Sequence, residues 1–360
     1  MTAKNDMISA WQTGILIFIL FFANKILVLP SLYVERAGIL SFILPIVSFG
    51  CEFLLLLLFF WLKKKFPTQS LKQIVSKTLG KWAFVILMIL VGVFFLGKTI
   101  LLYDVTYIFF TSTVYQDGTN IMFLFCFVPI MIFFAMNSIK VLGRTAQLFF
   151  PVIVAIVLFC LVVGVIGIES VPLFQTTSLS ALAQTWLRFS PAFGDSIILF
   201  LLIDKIKINK GQWKVVFSLA GASAIFVCAI NVVFILLFTY TSFMHPFALF
   251  EIISYVKEVG GVGRIDIISM VIIVILTYFH LSIYLLAFKE VFVSIFGVKE
   301  VYAVSTFMLI FIVIVRYLVE NLEKAIMFAQ NYWPYFGSVA FLVVPIVVII
   351  SLFSKREVDD

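Results

Sequence analysis

The chain has 360 residues, with 25 basic and 18 acidic side chains, two histidines and a formal net charge of +7. Charged residues make up 12% of it, against roughly 25% in ordinary soluble proteins, while hydrophobic residues make up 64% and phenylalanine alone numbers 43. That balance excludes a soluble globular domain, a disordered chain, a nucleic-acid-binding domain and a secreted disulfide scaffold, and leaves the lipid bilayer as the solvent that suits it.

The opening stretch MTAKNDMISAWQ has one lysine and no small-residue cleavage site, so the first apolar run is expected to be retained as a span. A bilayer core needs about 20 apolar residues per helix. Continuous runs of that kind predict ten transmembrane helices near 11–30, 38–62, 82–110, 120–137, 146–168, 179–203, 215–240, 265–288, 301–319 and 333–353. The four cysteines, Cys51, Cys126, Cys160 and Cys228, fall inside these runs without CxxC or His-flanked spacing, and read as small buried hydrophobes.

Span one is ILIFILFF, then Ala23-Asn24-Lys25, then Ile26 and the rest of ILVLP, so a polar pair interrupts an apolar helix. Span two carries Glu52 among leucines, as a structural pair or a proton relay, and ends at Lys63-Lys64-Lys65, a topology and anionic-lipid anchor or a partner dock. Span three carries Lys98, Tyr103 and Asp104. Lys98 and Asp104 are six residues apart, about 120° off one face, which argues against a direct pair. Tyr103 is a pocket wall or an interfacial anchor.

Span six is SALAQTWLRF, then Ser190-Pro191-Ala192-Phe193-Gly194-Asp195, then Ser196 and IILFLLI. Pro191 cannot continue the backbone ladder and Gly194 admits dihedrals closed to other residues. His245 precedes Pro246 in a predicted outer loop, and Gly260-Gly261-Val262-Gly263 lacks the Lys-Ser/Thr of a P-loop. ATP therefore does not drive this chain directly, and no cofactor is implied. Arg264 and Asp266 are expected to lock the outer end of span eight, where Thr277, His280 and Tyr284 share one face. His280 is a satisfied buried histidine or a proton-coupling group.

Basic residues set the orientation. With the N-terminus inside, the inner segments hold Lys4, Lys63, Lys64, Lys65, Lys72, Lys77, Lys81, Lys140, Arg144, Lys205, Lys207, Lys210, Lys214, Lys289, Lys299, Lys355 and Arg356. The outer segments hold only Arg36, Arg188, Lys257, Arg264, Arg316 and Lys324. Both termini are expected in the cytoplasm.

Ten spans divide into two sets of five, 11–168 and 179–353, within one membrane domain, and the first span of each set is interrupted. Secondary transporters built on inverted repeats place their solute sites at such breaks. The fold expected is an all-α polytopic membrane protein, a 5+5 LeuT-like inverted repeat with helices 1 and 6 broken. The N–H groups opening the second half of a broken helix suit a carboxylate, and freed carbonyls suit a cation, so a zwitterionic amino acid matches. The candidate pocket comprises Ala23, Asn24, Lys25, Ile26, Tyr103, Pro191, Phe193, Gly194, Asp195 and Ser196, with Lys25, Glu52, Asp195 and His280 as candidates for ion or proton coupling. Each intramembrane charge costs about 2.5–3.5 kcal/mol at a helix centre and should pair or line a wet cavity. Lys25 either binds a solute carboxylate, pairs with Asp195 as a built-in cation, or snorkels; Asp195 is an N-cap or a ligand and proton group.

Nearly the whole chain resembles the spore germination permease family, the B subunits of nutrient germinant receptors, within the amino acid–polyamine–organocation superfamily. Ala23-Asn24-Lys25-Ile26-Leu27-Val28-Leu29-Pro30 looks like that family's Gly-Thr-Gly-Ile-Leu-Phe-Leu-Pro stretch, with Ala23 and Lys25 in place of glycines. Phe66-Pro67 through Leu79-Gly80-Lys81 looks like its first cytoplasmic loop. Gly143-Arg144 before Pro151 looks like its entry to span five, and Gly263-Arg264-Ile265-Asp266 like its Glu-Arg-x-Asp/Glu patch. The resemblance implies an amino-acid-type germinant, an A-type membrane subunit and a C-type lipoprotein as partners, and the inner membrane of the spore as location. A freestanding proton-coupled amino acid or amine transporter is the alternative. An intramembrane enzyme is disfavoured, because HExxH, GxSxG and a pair of intramembrane aspartates in a recognisable signature are missing. A simple pore would need rings of polar residues that are not evident in one chain.

Overall fold

A computed structural model describes residues 7–22, 24–115, 118–168, 178–209, 211–260, 266–319, 331 and 333–353. The described chain is helical apart from a two-residue parallel pair, β1 (Ile8–Ser9) and β2 (Ile206–Lys207), registered Ile8 to Ile206 and Ser9 to Lys207. Among the described residues, seven helices are long and apolar enough to cross a membrane: Ile39–Lys65, Lys81–Thr113, Ile139–Ile166, Trp213–Phe238, Asp266–Phe296, Glu300–Tyr317 and Trp333–Phe353. Three of the ten expected spans, the first, fourth and sixth, fall short of that length. The fourth is a 17-residue helix, and the other two are broken.

The first segment comprises α1 (Ala10–Leu20), α2 (Asn24–Leu27) and α3 (Leu29–Ala37). Ser9 starts α1 with a capping box, its hydroxyl accepting from the Gln12 amide while the Gln12 side chain accepts from the Ser9 amide. The segment was expected to end at Pro30 but continues to Ala37. Pro30 lies in the first turn of α3, where its missing N–H costs nothing and its fixed φ suits a helix start. The next elements are α4 (Ile43–Lys65), α5 (Leu71–Thr78), α6 (Lys81–Thr113), α7 (Asn120–Met136) and α8 (Ile139–Ile166). In the Phe66–Lys81 loop, α5 carries its own Ser70/Gln73 capping box, so the loop is folded rather than slack.

The second broken segment comprises α9 (Leu179–Phe189), a 3₁₀ turn Ser190–Ala192 and α10 (Ile197–Leu201). Then follow α11 (Trp213–Phe238), α12 (Ala248–Gly260), α13 (Asp266–Phe296), α14 (Glu300–Val319) and α15 (Trp333–Phe353). The predicted loop after span seven is thus partly helical: Ala248, Leu249, Ile252 and Ile253 repeat at helical spacing and are buried. Helix α13 is central and mostly buried, packing chiefly on α6, whereas α8 is peripheral and mostly uncovered by the rest of the bundle. Helix α1 runs between α11 and α8, so the first break lies inside the bundle. The cysteine expectation needs correcting: only Cys160 is buried, whereas Cys126 is exposed and Cys51 and Cys228 are half-buried. An apolar run in a membrane helix has a lipid face as well as a core face, and runs alone do not separate them.

Candidate functional site

The two breaks meet in the middle of the bundle. After Leu20 the first helix stops, the Lys25 amide turns back to Phe22 O at 2.8 Å, and α2 carries Lys25 inward. In the second segment, Pro191 supplies no N–H and Gly194 takes φ +86°, a left-handed backbone that disfavours a Cβ. Chain reversal there turns the amides of Gly194, Asp195 and Ser196 toward α4.

Those amides are already taken. Glu52 on α4 accepts from the Gly194 amide at 2.6 Å and the Asp195 amide at 3.0 Å through Oε1. Its Oε2 accepts from the Ser196 amide at 3.2 Å and the Ser196 hydroxyl at 2.6 Å. The expectation that these groups stand open to a solute carboxylate is corrected: a carboxylate from α4 fills the place, because a helix start in apolar surroundings cannot leave its donors without acceptors.

Asp195 faces the other way. Its Oδ2 pairs with Lys25 Nζ, and its Oδ1 accepts from Lys98 Nζ at 2.5 Å and from the Tyr284 hydroxyl at 2.8 Å. Lys98 Nζ also donates to Ala192 O at 3.2 Å and Phe193 O at 3.0 Å, so its three hydrogens each have an acceptor. Lys25 Nζ also donates to Leu20 O at 3.2 Å and lies 4.9 Å from the Phe193 ring centre, 5.0 Å from Phe21 and 5.8 Å from Phe49. This box of ring faces attracts a cation. Lys25, Glu52, Lys98, Asp195, His280 and Tyr284 are all at most 3% exposed. Two lysines and two carboxylates form a buried cluster of zero formal charge.

His280 sits between the first break and α13. Its Nε2 lies 3.1 Å from Leu20 O, a carbonyl freed by the break, and its Nδ1 2.8 Å from Leu276 O, and the neutral ring, with one N–H, donates to one of the two. Thr277, on the same face, meets Thr106 at 3.3 Å. A cavity of about 110 Å³ lies on the α3 side of the cluster, between Leu29, Lys98, Phe189, Pro191, Ala192 and Trp333. Helix α15 packs closely beside it. A Cβ at Gly97 would stand 1.9 Å from the Trp333 ring, and one at Gly337 would stand 2.2 Å from Pro191.

Of the residues singled out in the sequence, Lys25, Pro191, Phe193, Gly194, Asp195, Ser196, Glu52 and His280 converge here, with Ile26 buried beside them. Tyr103 belongs elsewhere: its hydroxyl donates to Asn120 Oδ1 at 2.6 Å and its ring packs edge-on to Phe127 and Phe311. A groove of about 650 Å³ opens on that side, between Tyr107, Asn120, Phe125 and Arg316. Asp266 is buried at the start of α13, and Ala23, the Asn24 side chain and Arg264 lie outside the described residues. Sequence reasoning left Lys98 and Tyr284 out of the pocket. The signal available was that charges at membrane depth, Lys98 among them, call for partners of opposite sign.

Eighteen solved chains resemble this fold. One is Mhp1, a nucleobase-cation-symport-1 family transporter, in a closed conformation with bromovinylhydantoin bound. It is 12% identical, with a TM-score of 0.59 over 100% of this chain and 97% of that one. The likeness supports the fold class expected from the sequence, an all-helical, multi-pass membrane protein of transporter type with broken helices. No curated protein sequence matches. The family model described as spore germination protein matches residues 7–324, nearly the whole chain, and the protein belongs to that family of spore germination permeases.

Proposed function

We propose that this chain is the nutrient-binding, permease-like subunit of a spore germinant receptor. It spans the inner membrane of the spore with both termini in the cytoplasm, beside an A-type membrane subunit and a C-type lipoprotein. The observation that carries the reading is the convergence of both helix breaks on one buried cluster, Lys25–Asp195–Lys98, next to a cavity. A solute entering beside Pro191 and Trp333 presses on the least regular backbone in the bundle. There, small changes of dihedral angle move α3, α9 and α15 relative to α4 and α13. That is a gating joint, and it transmits occupancy whether or not solute crosses. The similar fold of Mhp1 holds a small organic molecule, which supports a small nutrient here. The divisions 11–168 and 179–353 are the proposed five-helix repeats. The amino acid that the sequence suggests would have to displace Glu52 from the amides of residues 194–196.

The test is co-purification of the chain with the two partner subunits, paired with radiolabelled solute uptake by the chain alone in liposomes. A stable complex with weak uptake is the expected result. Robust uptake without partners, abolished in His280→Leu, would favour the freestanding proton-coupled transporter.

A further inference from the structure

We infer that the solute bound at this joint is uncharged, with neither a carboxylate nor an ammonium group. The inference rests on the permease reading above and narrows its substrate class. A zwitterion needs two poles, and both are filled from within. The anion place, made by the amides of Gly194, Asp195 and Ser196, holds the Glu52 carboxylate. The cation place, made by Asp195 and the rings of Phe21, Phe49 and Phe193, holds the Lys25 ammonium. Lys98 takes the other Asp195 oxygen and two carbonyls of the break.

The four charges cancel, so the cluster has no deficit for a solute to fill. A lone anion or cation would enter a low-dielectric region already neutral. A zwitterion would have to displace Glu52 and Lys25 together and leave each buried without its partner. An uncharged solute displaces neither.

The adjoining cavity agrees with this. Its one charged wall residue, Lys98, has no donor left to offer, and Leu29, Leu101, Phe189, Pro191 and Trp333 present apolar surface. At about 110 Å³ it suits a small molecule with an apolar face.

The experiment uses the purified full chain in detergent, with thermal shift and equilibrium dialysis. The zwitterionic probes are L-alanine, L-valine and L-proline; the single-pole probes are acetate and methylammonium; the uncharged probes are acetamide, isobutanol and uracil. The expected result is a thermal shift with at least one uncharged probe, bound about tenfold or more tightly than any zwitterion. Leu101→Trp, which fills the cavity, should remove the shift. Acetate should stabilise Glu52→Ala, where the anion place is vacant, and leave the wild type unchanged. A zwitterion bound as tightly as any uncharged probe would overturn the inference and leave the permease reading standing. Equal stabilisation of wild type and Glu52→Ala by acetate would overturn it too, by showing the anion place open. Binding by none of the probes would overturn both.

Discussion

The Gly194 amide donates a 2.6 Å hydrogen bond to Glu52, 142 residues earlier in the chain. Through this bond the middle of α4 holds the start of the second half of a broken helix. Glu52→Ala removes the acceptor for three amides and the Ser196 hydroxyl, and leaves two lysines facing one carboxylate. The expected loss is about 3–5 kcal/mol, the range for breaking a buried ion cluster from one side. Glu52→Gln keeps an acceptor oxygen but turns an NH₂ toward donors, so it should sit between wild type and Glu52→Ala. Thermal unfolding in detergent measures the order, and a neutral effect of Glu52→Ala would show that water serves those amides.

Neutrality of the cluster sets the outcome of paired substitutions. Lys25→Met leaves a net negative charge, and Asp195→Asn leaves a net positive one. Each should cost several kcal/mol on its own. The double variant Lys25→Met/Asp195→Asn leaves Lys98 and Glu52, which balance. Its loss should therefore fall short of the sum of the singles by about 0.5–3 kcal/mol, the usual coupling between touching residues. Lys98→Met/Asp195→Asn should behave alike, since it leaves Lys25 and Glu52. Additive losses in both cycles would mean that solvent screens these charges.

Tyr284 isolates one hydrogen bond. Its hydroxyl donates to Asp195 Oδ1 at 2.8 Å while its ring lies 5.6 Å from Lys98 Nζ. Tyr284→Phe keeps the ring and deletes the donor. A hydrogen bond to a charged group contributes about 1.5–3 kcal/mol, so a loss in that range is expected with no change in secondary structure by circular dichroism. A loss under a few tenths would indicate that Lys25 and Lys98 satisfy the carboxylate without it.

Both breaks were legible in the sequence because each is written locally. Asn24 and Lys25 cannot sit in an apolar helix without cause, and Pro191 and Gly194 deny the helix its hydrogen bond and its dihedral. Expecting the first segment to stop at Pro30 failed because a proline ends one helix and begins another with equal ease, and only the following residues decide. The partners of the charges were not legible. Glu52 meets Gly194, and Lys98 meets Asp195, through the relative rotation and height of helices far apart in sequence. Periodicity gives the phase of one helix and says nothing of its register against another. For the same reason Tyr103, polar and at membrane depth like Tyr284, was placed in the pocket although it faces Asn120.

The packing of α15 on the joint gives the last prediction. Gly97 on α6 lies under the Trp333 ring, which stacks on Phe94 with centres 5.9 Å apart, and Gly337 lies against Pro191. A side chain at either glycine must push α15 away, since the obstacle at Gly97 is a rigid indole and the one at Gly337 is a proline ring of the break. Gly97→Val should cost about 1–3 kcal/mol as an overpacked contact. Trp333→Ala should cost more, about 3–5 kcal/mol, because it empties a large aromatic from the bundle. In the double variant the valine occupies part of the space that the indole left, so the combined loss should be smaller than the sum. If α15 is also the wall that moves on solute entry, Gly97→Val should weaken solute binding while Gly97→Val/Trp333→Ala recovers part of it. Equilibrium dialysis on the four proteins reads this out. A Gly97→Val protein with unchanged stability and unchanged binding would mean that α15 yields freely, and that the close approach of Gly97 to Trp333 plays no part in holding the joint shut.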